Sequence, residues 1–211
     1  MSDTPRPSSI HLKGELSNLP GRWLWLVKWL LIIPHLIILV FLWIAVCFVT
    51  IVAFFAILFT GQYPRKMFDF VEGVARWSWR VSFYSYSALG TDLYPPFSLD
   101  SEEEYPADLH IDYPESLTAW MPLVKWLLAV PHYMILAALI GGSSGEAAHG
   151  EYYYGGLQWV LVLIVAVLLL FTGRYHKDIF RLIMGINRWC YRVFAYVGLL
   201  TDEYPHFRLW E

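Results

Sequence analysis

Two lysines and two histidines stand where apolar side chains belong, and they recur at one spacing. Residues 26–39 read LVKWLLIIPHLIIL and residues 123–136 read LVKWLLAVPHYMIL. Each histidine follows its lysine by seven residues, so on a helix both side chains share a face. Ionisable groups inside an apolar run are costly in hydrocarbon. Lys28, His35, Lys125 and His132 are therefore the intramembrane polar candidates, and a paired site between the two copies could hold a lipid headgroup or relay protons. A plainer use competes with this one. Each lysine stem could reach the interface, and each neutral histidine could donate to the carbonyl that Pro34 or Pro131 frees on the preceding turn.

A second set of charges lies further along each copy. Arg65, Lys66, Arg76 and Arg80 fall in one segment, and Arg174, Lys177, Arg181, Arg188 and Arg192 in its counterpart. Beside an anionic leaflet each is worth about 1 kcal/mol. Lipid contact, an acidic face of a partner, or internal pairing with Asp69, Glu72 and Asp178 would all use them. Catalytic chemistry is harder to find. No HxxxH or HxxEH occurs, His149 with Glu146 and Glu151 reads better as a solvated loop than as a metal site, and Ser143-Ser144-Gly145 has no nucleophile-elbow context. No catalytic residue, metal or cofactor is expected.

The elements that must position these residues come from composition and repetition. Of 211 residues 57% are hydrophobic and only 16% charged, with mean hydropathy +0.46 and eleven tryptophans. Soluble domains carry roughly 25% charge, so lipid is expected to cover part of the surface. Net charge −3 argues against nucleic acid. The first 21 residues lack an apolar core, so no cleavable signal peptide is expected. Cys47 and Cys190 read as small buried hydrophobes.

The copies align throughout: Trp23 with Trp120, Phe59-Thr60-Gly61 with Phe171-Thr172-Gly173, Arg76-Trp77 and Arg80 with Arg188-Trp189 and Arg192, and Thr91-Asp92-Leu93-Tyr94-Pro95 with Thr201-Asp202-Glu203-Tyr204-Pro205. The division is an N-terminal tail (1–9), a first membrane repeat (10–99), an acidic linker (100–108) and a second repeat (109–211). In the second repeat a polar stretch at 141–156 separates two apolar runs, whereas the first is apolar from Trp23 to Thr60. That length exceeds one crossing, so a turn is expected near Trp43–Ala45, giving four crossings; a long helix kinked at Pro34 or a re-entrant segment is the alternative. Residues 64–89 and 177–200 suit amphipathic interfacial helices, with Gly73 and Gly185 as sites where another helix packs. Arg6, Lys13 and Arg22 before the first hairpin, and the basic residues after both, place both termini in the cytoplasm. Alternating stretches at 10–16, 96–99, 109–112 and 206–209 suit a small cytoplasmic β-sheet, and the acidic stretch 100–116 suits a solvated linker. The expected fold is thus an all-α integral membrane protein of two tandem repeats, each a transmembrane helical hairpin plus an amphipathic interfacial helix, with that small sheet.

The combination of VKWLLxxPH, FTGxYP, RWxxR and TDxYP resembles a bacterial family of small membrane proteins catalogued as a domain of unknown function and often found in tandem. The resemblance spans nearly the whole chain and implies an inner-membrane location, but brings no assigned catalytic or ligand residues. The second copy departs from it at Arg174-Tyr175-His176 and in the 141–156 insertion. The expected function is an accessory or scaffold subunit contacting anionic lipid, a partner membrane complex or further copies of itself. A small transporter or channel with a polar path between the repeats is the alternative, and a membrane enzyme comes third.

Overall fold

The computed structural model describes residues 9–16, 21, 23–141, 143–147, 150–154, 156–173 and 175–209. Arg6, Arg22, His149 and Arg174 lie outside them. The elements are β1 (Ile10–Gly14), α1 (Lys28–Leu31), α2 (Ile33–Thr60), α3 (Arg65–Tyr84), β2 (Ala107–Ile111), α4 (Lys125–Leu128), α5 (Val130–Leu139), β3 (Ser143–Ala147), β4 (Gly150–Tyr154), α6 (Leu157–Thr172) and α7 (Lys177–Val197). A 3₁₀ turn leads into α1 and another into α4. The protein is mostly helical, with β1 and β2 forming one antiparallel pair and β3 and β4 another.

Helix α2 runs unbroken through Trp43–Ala45, so the turn expected there does not form. No residue at that point stops a helix, and a turn would strand backbone groups that the i→i−4 ladder satisfies. Pro34 sits in the first turn of α2, where its missing N–H costs nothing. The break falls just before it, at Ile32. Gly61 ends α2 in the left-handed conformation, as Gly173 ends α6. The second repeat shows the same helix cut in two. Pro34 precedes Phe59 by 25 residues and Pro131 precedes Phe171 by 40, and the excess is the β3–β4 hairpin. A Cβ on Gly156 would lie 2.4 Å from the Gly141 carbonyl oxygen, so the chain leaves and re-enters at one place. Together α5 and α6 stand for α2.

Helix α2 is the one helix long and apolar enough to cross a membrane among the described residues; α5 and α6 are shorter. Its buried side chains, His35, Leu39, Val46, Ala53 and Ile57, form a single narrow seam. Helix α3, expected as an amphipathic interfacial helix whose charges meet lipid, a partner or one another, is packed on both sides. Thirteen of the twenty residues of α3 are buried, Glu72, Arg76 and Arg80 among them. The reason is that both faces are covered. Its apolar face meets α2, where Trp77 and Val81 pack with Leu39 and the Trp43 indole donates to Ser78 Oγ at 3.0 Å. Its polar face meets the β1–β2 sheet: Arg76 Nε donates to the Leu109 carbonyl at 2.7 Å, Trp79 Nε1 to the Lys13 carbonyl at 2.7 Å, and Glu72 accepts the Ile111 N–H at 3.0 Å.

The two repeats exchange their leading strands. Strand β2 of the second packs on α3 of the first, and β1 of the first on α7 of the second. The opening motifs lie 97 residues apart, so Leu12 is equivalent to Leu109, and the ladder pairs those two residues with each other. Likewise Trp79 meets its own equivalent, Tyr191, with ring centroids 5.6 Å apart. Helices α3 and α7 run antiparallel, since Phe83 meets Phe180 and the Ala88 carbonyl accepts from Tyr175 Oη. An approximate two-fold axis therefore passes through the sheet and between these helices.

Of the four stretches expected to form strands, 10–16 and 109–112 overlap β1 and β2, while 96–99 and 206–209 are straps. They cross α3 and α7 at Gly73 and Gly185. A Cβ on Gly73 would lie 2.9 Å from Leu99 Cβ, and one on Gly185 would lie 2.7 Å from the Leu209 carbonyl. The glycines thus admit a strap, where another helix was expected. The acidic stretch is not only solvated: Asp108 lies 3.3 Å from both Arg76 and Arg80. Cys47 is exposed on α2 and Cys190 half-buried; both are free thiols.

Candidate functional site

The recurring lysine and histidine are each met by a motif from the far end of their own repeat. Lys28 Nζ donates to the Thr91 carbonyl at 2.6 Å and pairs with Asp92 Oδ1 at 3.0 Å. Lys125 Nζ does the same with Thr201 (2.8 Å) and Asp202 (2.7 Å). Both lysines are essentially fully buried. Each ammonium also lies over a tyrosine near the C-terminal end of α3 or α7, Lys28 at 4.6 Å from the Tyr84 centroid and Lys125 at 5.2 Å from that of Tyr196.

The turn that supplies Thr-Asp is locally over-determined. Thr91 Oγ1 accepts the Leu93 N–H and Thr201 Oγ1 the Glu203 N–H, each at 3.1 Å. The preceding Leu89 and Leu199 sit at φ +50° and +66°, a conformation that costs a non-glycine residue about 1–2 kcal/mol. Such backbone persists only where surrounding contacts hold it, and here they aim the Thr carbonyl and Asp carboxylate at the lysine. The second Asp92 oxygen takes the Gly21 N–H, and that of Asp202 takes the Thr118 N–H at 2.7 Å. Burial pushes the Asp202 carboxyl up, but Lys125 and the Thr118 N–H outweigh it and hold the group below the usual carboxylate range.

The histidines do not donate to the carbonyls freed by proline. His35 Nδ1 accepts from Trp77 Nε1 at 3.0 Å, and His132 Nδ1 from Trp189 Nε1 at 3.1 Å. That bond places the ring proton of a neutral histidine on Nε2. The turn before each proline is met instead by a tyrosine hydroxyl: Tyr94 Oη donates to Leu31 and Tyr204 Oη to Leu128. A phenylalanine completes each site, with Phe97 stacked on His35 at 3.9 Å and Phe207 on His132 at 4.2 Å. At least one side chain from every recurring motif except FTG thus joins a clamp in each repeat, with Trp77 and Trp189 from RWxxR. The structure does not bring the two lysine–histidine pairs together; each is closed within its own copy. Sequence reasoning missed Asp92, Asp202, Trp77 and Trp189 as partners, although Asp92 and Asp202 are the acidic residues that recur with the lysines.

The basic candidates divide by position. Arg76 and Arg80 are buried, donating to Leu99, Leu109 and Ser98 carbonyls and pairing with Glu72 and Asp108. Arg192 is buried and donates to the Arg208 carbonyl in the strap; Arg188 is half-buried. Arg76, Arg80 and Arg192 are thus turned inward. Arg65, Lys66 and Lys177 are exposed, Arg65 paired with Asp69 and lying over Tyr113. Chemically, the clamps neutralise a lysine and orient a histidine.

No curated protein and no solved structure matches the chain. A family profile described as a domain of unknown function (DUF4389) matches residues 22–98 and 152–208, consistent with a tandem arrangement. The first match contains Lys28, His35, Trp77 and Asp92, and the second contains Trp189, Asp202 and Phe207. With well over half its length matched, the chain belongs to the DUF4389 family.

Proposed function

We propose that the chain is a membrane-embedded accessory or scaffold protein of the bacterial inner membrane, organising lipid or a partner complex rather than catalysing a reaction. One observation carries this reading. The most apolar 18-residue window of α2 is only 17% buried, with Phe41, Phe48 and Phe59 among the helix's exposed side chains, and α5 and α6 likewise expose Met134, Leu163 and Phe171. Water would meet an apolar surface far larger than soluble proteins present. The exposed Arg65, Lys66 and Lys177 remain available to anionic headgroups. The transporter reading has less support, because Lys28, His35, Lys125 and His132 are each engaged inside one repeat.

The test is native mass spectrometry of protein released gently from its own membrane, after alkaline carbonate extraction of that membrane. The reading expects the chain in the carbonate-resistant pellet, with retained anionic lipid or a stoichiometric partner. Release into the carbonate supernatant overturns it.

A further inference from the structure

We propose that α2 and the α5–α6 pair lie in the plane of one leaflet, their common apolar face sunk among its acyl chains, with the β1–β2 sheet in water. This rests on the membrane reading above and deepens it by assigning the orientation. It begins with the layering. On α3 the residues touching the sheet, Glu72, Arg76, Trp79 and Arg80, lie opposite those touching α2, namely Trp77, Ser78 and Val81. The order is therefore sheet, then α3 with α7, then α2 with α5–α6. The exposed arc of α2 faces away from its buried seam and so away from the sheet.

Level decides between lying and crossing. The sheet contacts residues 72–80, the middle of α3, and Trp43 to Ser78 places that middle beside the middle of α2. Were α2 upright across a bilayer, the sheet would sit at mid-depth. It carries His11, Lys13, Glu15, His110 and Asp112, with side chains 50–66% exposed. A charge at the bilayer centre costs about 2.5–3.5 kcal/mol for Lys or Asp, and α2, about 42 Å long, overshoots a hydrocarbon layer of about 30 Å. Lying flat removes both conflicts. The approximate two-fold axis, normal to the sheet, then puts α2 and α5–α6 on the same face at the same depth. The helices carry no Asp, Glu, Lys or Arg from 33 to 60, 130 to 139 or 157 to 172, which suits acyl chains. Exposed Trp23, Trp29, Trp120 and Trp126, in the turns and short helices that lead into α2 and α5, suit the headgroup boundary.

The test uses the full chain in native membrane vesicles of known orientation. In a Cys47→Ser/Cys190→Ala background, Lys66→Cys reports the C-terminal end of α2 and Leu93→Cys its N-terminal end. Each is probed with a membrane-impermeant maleimide, with reactivity in detergent as the reference. The proposal expects both cysteines to react from one side and neither from the other. Reaction from opposite sides overturns it while leaving the membrane reading standing, because α2 then crosses. Vesicles that lose the protein in carbonate overturn the membrane reading itself. A carbonate-soluble dimer would show instead that a second copy covers the apolar face.

Discussion

At the scale of single residues, the clamp accounts for why two lysines are tolerated in an apolar run. A buried ammonium is held only where opposite charge and acceptors replace its water, and Asp202 with the Thr201 carbonyl does this for Lys125. Removing one partner of such a pair leaves the other charge stranded. Lys125→Met is expected to cost about 3 kcal/mol, read as a drop in Tm in detergent, with Lys125→Met/Asp202→Leu recovering part of it. An unchanged Tm in the single variant would show that the pair contributes nothing. The sign with pH follows from Asp202. Its carboxyl is depressed in the folded chain, so the stability it adds is present above the unfolded value, about 3.9, and is lost as pH falls through the folded value. The Tm difference between wild type and Asp202→Asn is therefore expected to be full at pH 6 and to shrink below about pH 4. The lysine–histidine spacing was legible in the sequence, because helical period alone places them on a face. Their partners were not, because Asp92 lies 64 residues from Lys28 and Trp77 lies 42 from His35, and only the tertiary fold joins them.

At the scale of elements, the sequence showed the repeat but misjudged its use. A polar insertion at 141–156 reads as the loop of a hairpin, and by analogy implied a turn in the first copy. In the structure it is an excursion from a helix whose two ends abut. Deleting 141–155 and changing Gly156→Ala is expected to fuse α5 to α6 as a continuous helix like α2, with higher fractional helicity by circular dichroism and a Tm no lower than wild type. Loss of folding would show that the hairpin supports the second repeat. The glycines make the opposite case. Alanine favours a helix interior by about 1 kcal/mol over glycine, yet at Gly73 its methyl would meet the strap at Leu99. Overpacking costs about 1–3 kcal/mol, so Gly73→Ala is expected to destabilise in urea titration and to expose the 96–99 strap to proteolysis. The amphipathicity of α3 and α7 was plain from their charges, but composition cannot tell water or headgroups from a sheet donated by the other repeat. Glu72 and Arg76 look the same on a helical wheel in either case.

For the whole molecule, the separation of faces predicts which substitutions change location without changing fold. Phe48 on α2 and Leu163 on α6 are about two-thirds exposed and point away from the core. Replacing an inward residue such as Ala53 would disrupt packing at once, since it is fully buried against neighbours. Phe48→Lys/Leu163→Lys adds two charges to the apolar face and removes no internal contact of the core. Transfer of each lysine into hydrocarbon costs about 3 kcal/mol, on top of about 2 kcal/mol lost per large apolar side chain. The double variant is expected to shift from the carbonate-resistant pellet toward the supernatant, while its circular dichroism in detergent matches wild type. An equivalent pair on the sheet, His11→Lys/His110→Lys, already faces water in the in-plane arrangement and is expected to leave the partition unchanged. If instead the sheet pair releases the protein and the helix pair does not, the assignment of faces is reversed, and the sheet would be the surface that the membrane holds.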